Sequence, residues 1–472
     1  MSVFRSLSWR CRPGRSSWPA RAASLLVMGA SGATSVFAAT WMEAPSPLPT
    51  VPILCGNEAM PAPFGRYELV CALDLAVAQS SSNDQGQAIR AALNSLPPNK
   101  GLYFPKGRYF VDGDLPLRPG AALVGSKDGT HFINRPGTTT RITQASKGDR
   151  GILVEGLLLD NIVIQLSHDH DHEQGSIVRY NGFRQTESAE PQISTAGADL
   201  IMGNVLWRET MHPGAGILVK GGQNATIFRN LIGASKWMRD PTPLIESAEA
   251  VRDRTEKLVQ ALSTSPLHNG NAPSQEQQVG QYTRAVHLEG SKRTLLSGND
   301  INVETTASTE PHFAAELNDV TRLMLLDNHI AQGGGSGVSP VQLRAPQDGW
   351  VYGNRFIRVP LRIVPGAAHG VPVQVRPTKF TEVEKNEFTD AIIETTQRVT
   401  AQYGAGDDDQ TLTAAHDLEF YRNRFSTDLP GCLLNAEVPS QRENAFAAWR
   451  NVRVDNLKNE TPAEACNMQQ ID

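Results

Sequence analysis

One short phrase returns along most of the chain and limits what the chain can fold into. The phrase is an apolar residue, a small or polar residue, Asn, any residue, and then Ile, Leu, Val or Phe. Its copies contain Asn161, Asn204, Asn230, Asn299, Asn328, Asn354, Asn386 and Asn423, and a weaker copy contains Asn456. Five of the successive intervals lie between 26 and 37 residues. Self-similarity at such a period is typical of repeat proteins.

Each copy of the phrase is short, alternates in polarity and is rich in Val, Ile, Leu and Phe, which is typical of β-strands. An Asn at the bend between two strands can bond nearby backbone groups and tolerates positive φ. Stacked Asn side chains can also bond one another. Because one coil cannot bury its apolar face alone, the repeats must stack. The sequence therefore predicts an all-β fold, a β-solenoid.

Two intervals are longer, 43 residues from Asn161 to Asn204 and 69 residues from Asn230 to Asn299. We interpret them as insertions between coils, at about 167–198 and 236–284. The first is polar and rich in His, and the second contains a helical pattern over Pro243–Leu262. Insertions in repeat proteins tend to emerge on one face, often the face that binds a ligand.

The first 38 residues have the pattern of a signal peptide. Arg residues precede a mostly apolar or small stretch at 22–38, and Val36, Phe37 and Ala38 fit the small-residue cleavage rule. We expect a periplasmic or secreted protein that starts near Ala39. The apolar stretch is too weak for a lasting span, so we expect no membrane span after processing. Residues 39–82 form a Pro-rich N-terminal segment, in which 40–65, where the prolines lie, are expected to be extended.

Cysteine usage agrees with export. Cys11 would leave with the leader, and Cys55, Cys71, Cys432 and Cys466 remain, which allows three disulfide pairings. The local pairing, Cys55 with Cys71 and Cys432 with Cys466, would staple the two ends of the solenoid, where a stack frays. Buried free thiols are the alternative.

A helix is predicted over Gln85–Leu96, with an Asn-Asp pair at 83–84 as its cap, and short strands with Gly and Pro turns follow at 101–126. This helix, the phrase Leu-Tyr-Phe-Pro-Lys-Gly-Arg-Tyr at 102–109 and the strand that ends at Gly125 resemble the opening of the pectate-lyase-3-like superfamily. That group includes secreted polysaccharide-processing enzymes and tailspike-like proteins. The resemblance implies a single right-handed parallel β-helix at 83–457, capped by the helix, with 458–472 as a tail. The fold alone does not name a reaction.

Polar residues that suit sugar-acid chemistry follow three copies of the phrase. They are His168, Asp169, His170, Asp171 and His172 after the first copy, Arg208, Glu209 and His212 after the second, and Lys236, Arg239 and Asp240 after the third. Because equivalent loops of consecutive coils lie above one another, we expect these residues at one edge of the stack.

Such a set can remove the proton α to a sugar carboxylate. The reaction needs a base, for which His168, His170 or His172 is the candidate. It also needs a cation that neutralises the developing enolate, for which Arg208 or Lys236 is the candidate. The remaining residues of the set are expected to bind substrate. β-Elimination would then cleave the chain, whereas reprotonation from the other face would epimerise it.

Other interpretations of the same residues stay open. A run of alternating His and Asp is also typical of a solvated loop, and Arg208 and Lys236 can form surface salt bridges with their neighbours in sequence. If the run is a strand, its His and Asp residues point to opposite sides, which argues against one shared ion. We therefore predict no metal site, and we leave participation of calcium open.

Two family comparisons bear on the reaction. Asp169, His170 and Asp171 resemble the Asp-Pro-His-Asp phrase of mannuronan C5-epimerases of β-helix fold, without the Pro. The Asn-Thr-Asp, paired Asp, Gly-His-Gly and Arg-Ile-Lys phrases of polygalacturonase-type hydrolases are not set out along the coils. We therefore expect a lyase or C5-epimerase that acts on an acidic polysaccharide.

Two alternatives to that activity are kept. A glycoside hydrolase needs two carboxylates roughly 5–10 Å apart, which Asp169 or Asp171 with Glu209 could supply. A non-catalytic β-helix that binds a glycan or serves as a scaffold is the other alternative. The net charge of −5 supplies no basic field, so no nucleic-acid partner is expected. The sequence leaves the oligomeric state open.

Overall fold

The computed structural model describes much of the chain between residues 53 and 466. The described residues are 53–61, 67–126, 129–135, 137–146, 151–166, 175–185, 188–197, 199–208, 214–233, 282–303, 311–333, 337–364, 366–368, 374–376, 378–396, 398–401, 410–413, 416–426, 434–437, 455–458, 461–462 and 465–466.

The described chain forms successive coils, and most coils contribute one strand to each of three parallel sheets. The first strands, in chain order, are β1 (Leu54–Cys55), β2 (Glu58–Ala59), β3 (Glu68–Cys71), β4 (Ser80–Asp84), β5 (Lys100–Phe104), β6 (Gly107–Phe110), β7 (Leu115–Leu117), β8 (Ala122–Gly125), β9 (Thr130–Ile133), β10 (Thr140–Gln144), β11 (Leu153–Glu155), β12 (Leu157–Asp160), β13 (Ile162–Gln165), β14 (Ile177–Arg179), β15 (Gly182–Gln185), β16 (Ile193–Thr195), β17 (Leu200–Met202), β18 (Val205–Arg208), β19 (Gly214–Lys220), β20 (Thr226–Phe228) and β21 (Leu231–Ile232).

The later strands continue the same pattern. They are β22 (Tyr282–Glu289), β23 (Leu295–Ser297), β24 (Asp300–Val303), β25 (Phe313–Asn318), β26 (Met324–Leu326), β27 (His329–Gln332), β28 (Val341–Arg344), β29 (Trp350–Tyr352), β30 (Arg355–Ile357), β31 (Leu361–Val364), β32 (Gly366–Ala368), β33 (Gln374–Arg376), β34 (Thr378–Glu384), β35 (Glu387–Thr389), β36 (Ile393–Thr396), β37 (Arg398–Ala401), β38 (Gln410–Thr413), β39 (His416–Ser426), β40 (Leu434–Glu437), β41 (Asp455–Lys458), β42 (Thr461–Pro462) and β43 (Ala465–Cys466).

The three sheets repeat in the order A, B, C around each coil. Sheet A contains β3, β5, β8, β11, β14, β17, β20, β23, β26, β29, β34 and the first part of β39. Sheet B contains β4, β6, β9, β12, β15, β18, β21, β24, β27, β30, β35 and the last part of β39. Sheet C contains β7, β10, β13, β16, β19, β22, β25, β28, β31, β36, β40 and β43. The fold class predicted from the sequence, a parallel β-helix, is therefore confirmed.

Inward side chains of all three sheets form one apolar core along the axis of the stack. The alternation of strands sends every second residue inward, so register partners such as Ile201, Ile227 and Leu296 lie above one another and are fully buried. Near the last coils, Phe388 stacks on Phe356 and on Phe425, with ring centroids 4.8 Å and 4.9 Å apart. Each fully buried side chain of this size contributes about 2 kcal/mol.

A column of buried Asn side chains marks the corner between sheets A and B. It contains Asn181, Asn204, Asn230, Asn299, Asn328, Asn354, Asn386 and Asn423. The residue before each of these Asn residues has φ between 51° and 68°, which is the left-handed bend the corner requires. We call this column the Asn ladder.

The first copy of the sequence phrase belongs to another corner. Asn161 lies between β12 and β13, where sheet B passes into sheet C, and has φ of 54°. The ladder instead begins with Asn181, which the sequence analysis missed. The region 167–198, predicted as an insertion, accordingly contains β14, β15 and β16, one strand for each sheet. The interval of 43 residues spans two coils.

The start of the stack differs from the prediction in its limits. Sheets A and B begin with β3 and β4, ahead of residue 83, where the β-helix was expected to begin. The capping helix α1 runs over Gly86–Ser95, as expected, and its Ile89, Ala92 and Leu93 pack on the end of the core. Asp84 accepts hydrogen bonds from the backbone N–H groups of Gly86 and Asp112, both at 2.8 Å.

An outer apolar layer covers the first coils of sheet A. Its members are Cys55, Tyr67, Leu69, Cys71, Tyr103, Ala122, Val124, Leu153 and Ile177. Cys55 and Cys71 form a disulfide bond, which is one of the bonds in the local pairing. Cys432 lies outside the described residues, so the second bond of that pairing stays a prediction.

Other predicted segments also lie outside the described residues. They are the signal peptide at 1–38 and all of the second insertion except its last residues, since β22 begins at Tyr282. Within the described ranges, no helix has the length and apolar character needed to cross a membrane.

Candidate active site

Ten of the eleven site residues predicted from the sequence lie outside the described residues. They are His168, Asp169, His170, Asp171, His172, Glu209, His212, Lys236, Arg239 and Asp240. Their proposed roles therefore stay predictions. The strands that flank them nevertheless show which corners of the stack these segments connect.

The expectation that all three segments leave the stack at one corner is wrong. Residues 167–174 connect β13 of sheet C to β14 of sheet A. Residues 209–213 connect β18 of sheet B to β19 of sheet C, and residues 234–281 connect β21 to β22 in the same way. The reason is the position of Asn161 at the corner between sheets B and C, one corner beyond the Asn ladder.

Arg208, the remaining predicted residue, is fully buried at the end of β18. Its guanidinium donates hydrogen bonds to the backbone carbonyls of Ser188 and Glu190, and to that of Ala215 at 3.1 Å. Burial lowers the pKa of Arg208 to about 10. Arg208 thus links the end of β18 to β19 and to the segment between β15 and β16. Its expected role in neutralising a sugar carboxylate stays a prediction. The side chain of Arg208 has no exposed surface that a sugar could contact.

The outer surface of sheet C carries a denser group of titratable side chains. Successive register partners across six strands are Leu218, His287, Glu316, Gln342, Arg362 and Glu394. These residues alternate with core residues along their strands and therefore face outward. We call them the sheet C column. Adjacent members lie one strand spacing apart, about 4.8 Å at the backbone.

The centre of the column is a cluster of Arg284, His287 and Glu316. The Nε–H group of Arg284 donates a hydrogen bond to Oε2 of Glu316. Nε2 of His287 lies 3.8 Å from the same oxygen. The side chain of Glu316 is 10% exposed, that of His287 is 19% exposed and that of Arg284 is 33% exposed. Nε2 of His287 is buried and accepts or donates no hydrogen bond among the described residues. One shielded carboxylate thus holds a more exposed guanidinium by a hydrogen bond and lies beside a partly exposed imidazole.

The surroundings of His287 favour its neutral form. Burial lowers the pKa of His287 below its ordinary value of 6.5, and Arg284 and Lys220 lower it further. Glu316 and Glu289 act in the opposite direction without reversing the shift. A neutral imidazole at neutral pH can accept a proton, which an imidazolium cannot. The cluster therefore joins a general base to a cation.

Further ion pairs lie on the outer surface of sheet C, and two hairpins lie beside the far end of the sheet C column. Nζ of Lys220 lies 3.4 Å from Oε2 of Glu289, on the same surface. Arg362 forms an ion pair with Glu394 farther along the stack. The antiparallel hairpins β32–β33 and β37–β38 begin two residues after β31 and β36 end. The hairpins therefore leave the stack beside the Arg362 end of the column.

Sequence reasoning missed this cluster because it considered the residues that follow each Asn. The charged residues of the cluster lie within the third strand of each coil instead. A usable signal was present, since His287 and Glu316 are 29 residues apart, the separation of Asn299 and Asn328 on the same two coils. Residues with the same separation as neighbouring ladder Asn residues lie in equivalent positions.

The described part of the chain contains no group of three or more His, Cys, Asp or Glu side chains arranged to hold a metal ion.

Together the coils, the Asn ladder and the sheet C column define a parallel β-helix protein with a charged outer surface on one sheet. No protein-family model matches the chain, and no curated protein matches its sequence. Its fold is similar to that of a Geobacillus virus E2 protein, ORF18, with 10% identity and a TM-score of 0.38 over 76% of this chain and 61% of that chain. This chain therefore spans less than two thirds of the viral protein.

Two further solved structures share the fold. The Streptococcus pneumoniae surface protein and adhesin PfbA has 10% identity and a TM-score of 0.36, over 83% of this chain and 97% of that chain. The A-module of the Azotobacter vinelandii mannuronan C-5 epimerase AlgE4 has 11% identity and a TM-score of 0.34, over 84% and 97%. At these values the likeness concerns the fold alone.

Proposed function

We propose that this protein acts on an acidic, uronate-containing polysaccharide at the sheet C column, as a lyase or a C5-epimerase. The observation that carries the proposal is the cluster in which Glu316 holds Arg284 beside His287. This cluster supplies the two groups that proton abstraction next to a sugar carboxylate requires.

Each residue of the cluster has a distinct role in the proposed reaction. Arg284 directs its Nε–H group to Glu316, and its partly exposed guanidinium pairs with the sugar carboxylate. His287 accepts the proton from the carbon next to that carboxylate, and the electrons of the broken C–H bond move into the carboxylate, which becomes an enolate. Arg284 stabilises the added negative charge. Glu316 keeps the guanidinium oriented.

The fate of the enolate separates the two activities. In a lyase, the electrons of the enolate return to form a carbon–carbon double bond. The glycosidic oxygen on the next carbon leaves with the electrons of its bond to that carbon and then takes up a proton. In an epimerase, the same carbon regains a proton from the opposite face of the ring. Both activities share the step that His287 and Arg284 carry out.

The shape of the column supports a linear substrate. Its members repeat at the strand spacing, and one pyranose unit of an extended polysaccharide has a similar length. A chain laid along the stack would therefore present successive sugars to successive members of the column. Arg362, three strands beyond Arg284, offers a second partner for a carboxylate.

The test is incubation of the purified protein with a panel of uronate polymers in D₂O. Absorbance of the unsaturated product reports a lyase, and deuterium at the epimerised carbon without that absorbance reports an epimerase. We expect His287→Gln to lower turnover by at least about 100-fold. His329→Gln is the matched control, because His329 is also mostly buried and lies beside a carboxylate, Asp300, but on sheet B. Equal turnover by both variants would exclude the proposed site.

A glycoside hydrolase is the second candidate, favoured by one observation. Glu289 and Glu316 project from adjacent strands of the same surface at positions offset by two residues, which suits the separation of roughly 5–10 Å used by paired carboxylates. A hydrolase would release reducing ends without the unsaturated product, and Glu289→Gln would abolish that release. Binding without any chemical change would instead indicate a non-catalytic glycan-binding protein.

Export is part of the proposal. The disulfide bond between Cys55 and Cys71 supports an oxidising compartment such as the periplasm or the cell exterior. Expression of the full chain followed by N-terminal sequencing of the mature protein tests this point, with a start near Ala39 as the expected result.

A further inference from the structure

Sheet A carries an aromatic pair that the sheet C column does not use. Trp350 and Tyr352 are alternate residues of β29, and Val351 between them is fully buried in the core, so both rings face outward. Their ring centroids are 4.9 Å apart, with an angle of 46° between the planes. Both residues are half-buried, whereas the earlier coils of the same surface are covered by the outer apolar layer.

Two exposed cations lie at the edge of this aromatic pair. Nζ of Lys385 is 3.0 Å from the hydroxyl oxygen of Tyr352 and 4.8 Å from the centre of its ring. Oε1 of Glu384 lies 3.2 Å from Nζ of Lys385 and 3.6 Å from Nη1 of Arg422. The hydrogen bond with Tyr352 and the carboxylate of Glu384 raise the pKa of Lys385, so its ammonium group stays charged.

The charges at this edge differ in their access to solvent. The side chain of Glu384 is fully buried, whereas those of Lys385 and Arg422 are 38% and 58% exposed. Two cations thus share one buried carboxylate, and the charge they present outward is positive. Glu382, the register partner of Trp350, lies on the same neighbouring strand as Glu384, the register partner of Tyr352.

We infer that Trp350, Tyr352, Lys385 and Arg422 form a second saccharide-binding site, remote from the sheet C column. The apolar face of a pyranose ring packs on the aromatic pair, and a uronate carboxylate on that sugar or its neighbour pairs with the two cations. This inference rests on the proposed function for the nature of the polymer. It concerns binding alone and adds no chemical step.

The experiment measures binding of an intact uronate polymer to the full chain. The His287→Gln variant serves as the parent so that the polymer is not consumed. In that parent, we expect Trp350→Ala to raise the dissociation constant about tenfold, because the stacking surface is lost. Trp350→Phe retains an aromatic surface and should bind within about threefold of the parent. Met324→Ala, the half-buried register neighbour of Trp350, is the control and should bind like the parent.

The cations are tested separately. Arg422→Gln should weaken binding several-fold and make it less sensitive to salt, because one exposed charge is removed. Since the side chain of Arg422 is more than half exposed, we expect this variant to fold. Its polymer binding can therefore be measured even where Trp350→Ala does not fold. Parent-like binding by Arg422→Gln and by every folded Trp350 variant would overturn the inference, as would self-association that depends on Trp350.

The results also separate this inference from the proposed reaction. A wild-type protein that binds the polymer through Trp350 and leaves it chemically unchanged would overturn the reaction alone. A wild-type protein that turns the polymer over, with Trp350→Ala and Arg422→Gln binding like the parent, would overturn the second site alone.

Discussion

At the scale of single residues, the Asn ladder accounts for polar groups that the corner between sheets A and B would otherwise leave unsatisfied. The Nδ2 group of Asn299 donates to the carbonyl of Ile227 and to Oδ1 of Asn328, both at 2.9 Å. The backbone N–H and Nδ2 of Asn230 in turn donate to Oδ1 of Asn299, both at 3.0 Å. Each amide therefore links three coils, and loss of one leaves buried donors on its neighbours without acceptors.

We expect Asn328→Ala to lower the free energy of unfolding by about 3 kcal/mol, because buried hydrogen-bonding groups on either side lose their partners. Chemical denaturation followed by circular dichroism measures this loss. Asn94→Ala is the control, since Asn94 is exposed in α1 and should change stability little. Equal stability of the two variants would contradict the role assigned to the ladder.

The charged neighbours of His287 predict the pH dependence of the proposed reaction. Only the neutral imidazole accepts a proton, so turnover should fall as pH decreases through the pKa of His287, which lies below 6.5. Lys220→Gln removes a charge that lowers this pKa, and the acid limb should move to higher pH. Glu289→Gln removes a charge that raises it, and the limb should move to lower pH.

Both shifts should become smaller at high salt, because Lys220 and Glu289 are well exposed. NMR titration of His287 measures them directly and needs no substrate. Shifts in the same direction for the two variants would show that the charges do not act on His287 in the way described.

At the scale of elements, the first coils are closed by parts that do not belong to the repeat. Helix α1 covers the end of the core, and the disulfide bond ties β1 to β3 under the outer apolar layer. A solenoid without such caps exposes the apolar face of its terminal coil. The stability of this end therefore depends on covalent and capping contacts more than the middle coils do.

Replacement of Cys55 and Cys71 by Ala should lower stability by about 3 kcal/mol, the value expected for a loop of this length. The bond closes a sequence separation of 16 residues. A decrease of at least this size should appear when the wild-type protein is unfolded in the presence of a reductant, and the reductant should affect the double variant less than the wild type. If the reductant lowered the stability of both proteins equally, the bond between Cys55 and Cys71 would not be the source of the effect.

The repeat phrase predicted the fold but assigned one copy to the wrong corner. Leu159 to Val163 fits the phrase fully and forms a bend between two strands, as the phrase requires. It does so where sheet B meets sheet C. Asn181 follows Arg179 and Tyr180, which do not fit the phrase, yet its side chain bonds Asn204. The partner one coil away decides which corner an Asn occupies, and a local pattern does not contain that information.

The candidate site was harder to predict than the fold for a related reason. His287 and Glu316 become neighbours only through the register of β22 and β25. The preceding pairing, of β19 with β22, includes an irregularity between Gly214 and Ala215, which a strict alternation does not anticipate. Exposure also depends on the long connections between sheets, whose positions the repeat does not fix. The sequence alone could have shown only that His287 and Glu316 are separated by the same number of residues as two neighbouring Asn residues of the ladder.

At the scale of the whole molecule, the stack is modular because each coil contacts chiefly the coils on either side. His329 and Arg355 are register partners on successive coils, and the interval between Asn328 and Asn354 is 26 residues. A segment that runs from one position to the equivalent position on the next coil is therefore one whole coil long. When it is removed, the two new neighbours occupy equivalent places in the stack. The approximately additive energetics of repeat proteins follow from this arrangement.

Deletion of residues 329–354 removes one such segment and should leave a folded protein of lower stability, in which Asn328 bonds Asn386. Deletion of residues 329–341 removes half a coil and should prevent folding, because the strands that follow lose their sheets. Size-exclusion chromatography and the far-ultraviolet circular dichroism spectrum distinguish the two outcomes. Similar behaviour of both deletions would mean that the ladder does not set the register.

The sheet C column has a fixed pitch because the hydrogen bonds of the backbone set the distance between its members. From Leu218 to Glu394 there are five intervals of about 4.8 Å, or roughly 24 Å in all. A polymer whose unit is longer than that interval by about one tenth is out of phase by half a unit at the far end. In the proposed function, the surface would therefore select polymers by their repeat length as well as by their charged groups, and only over the few coils where the two periods coincide.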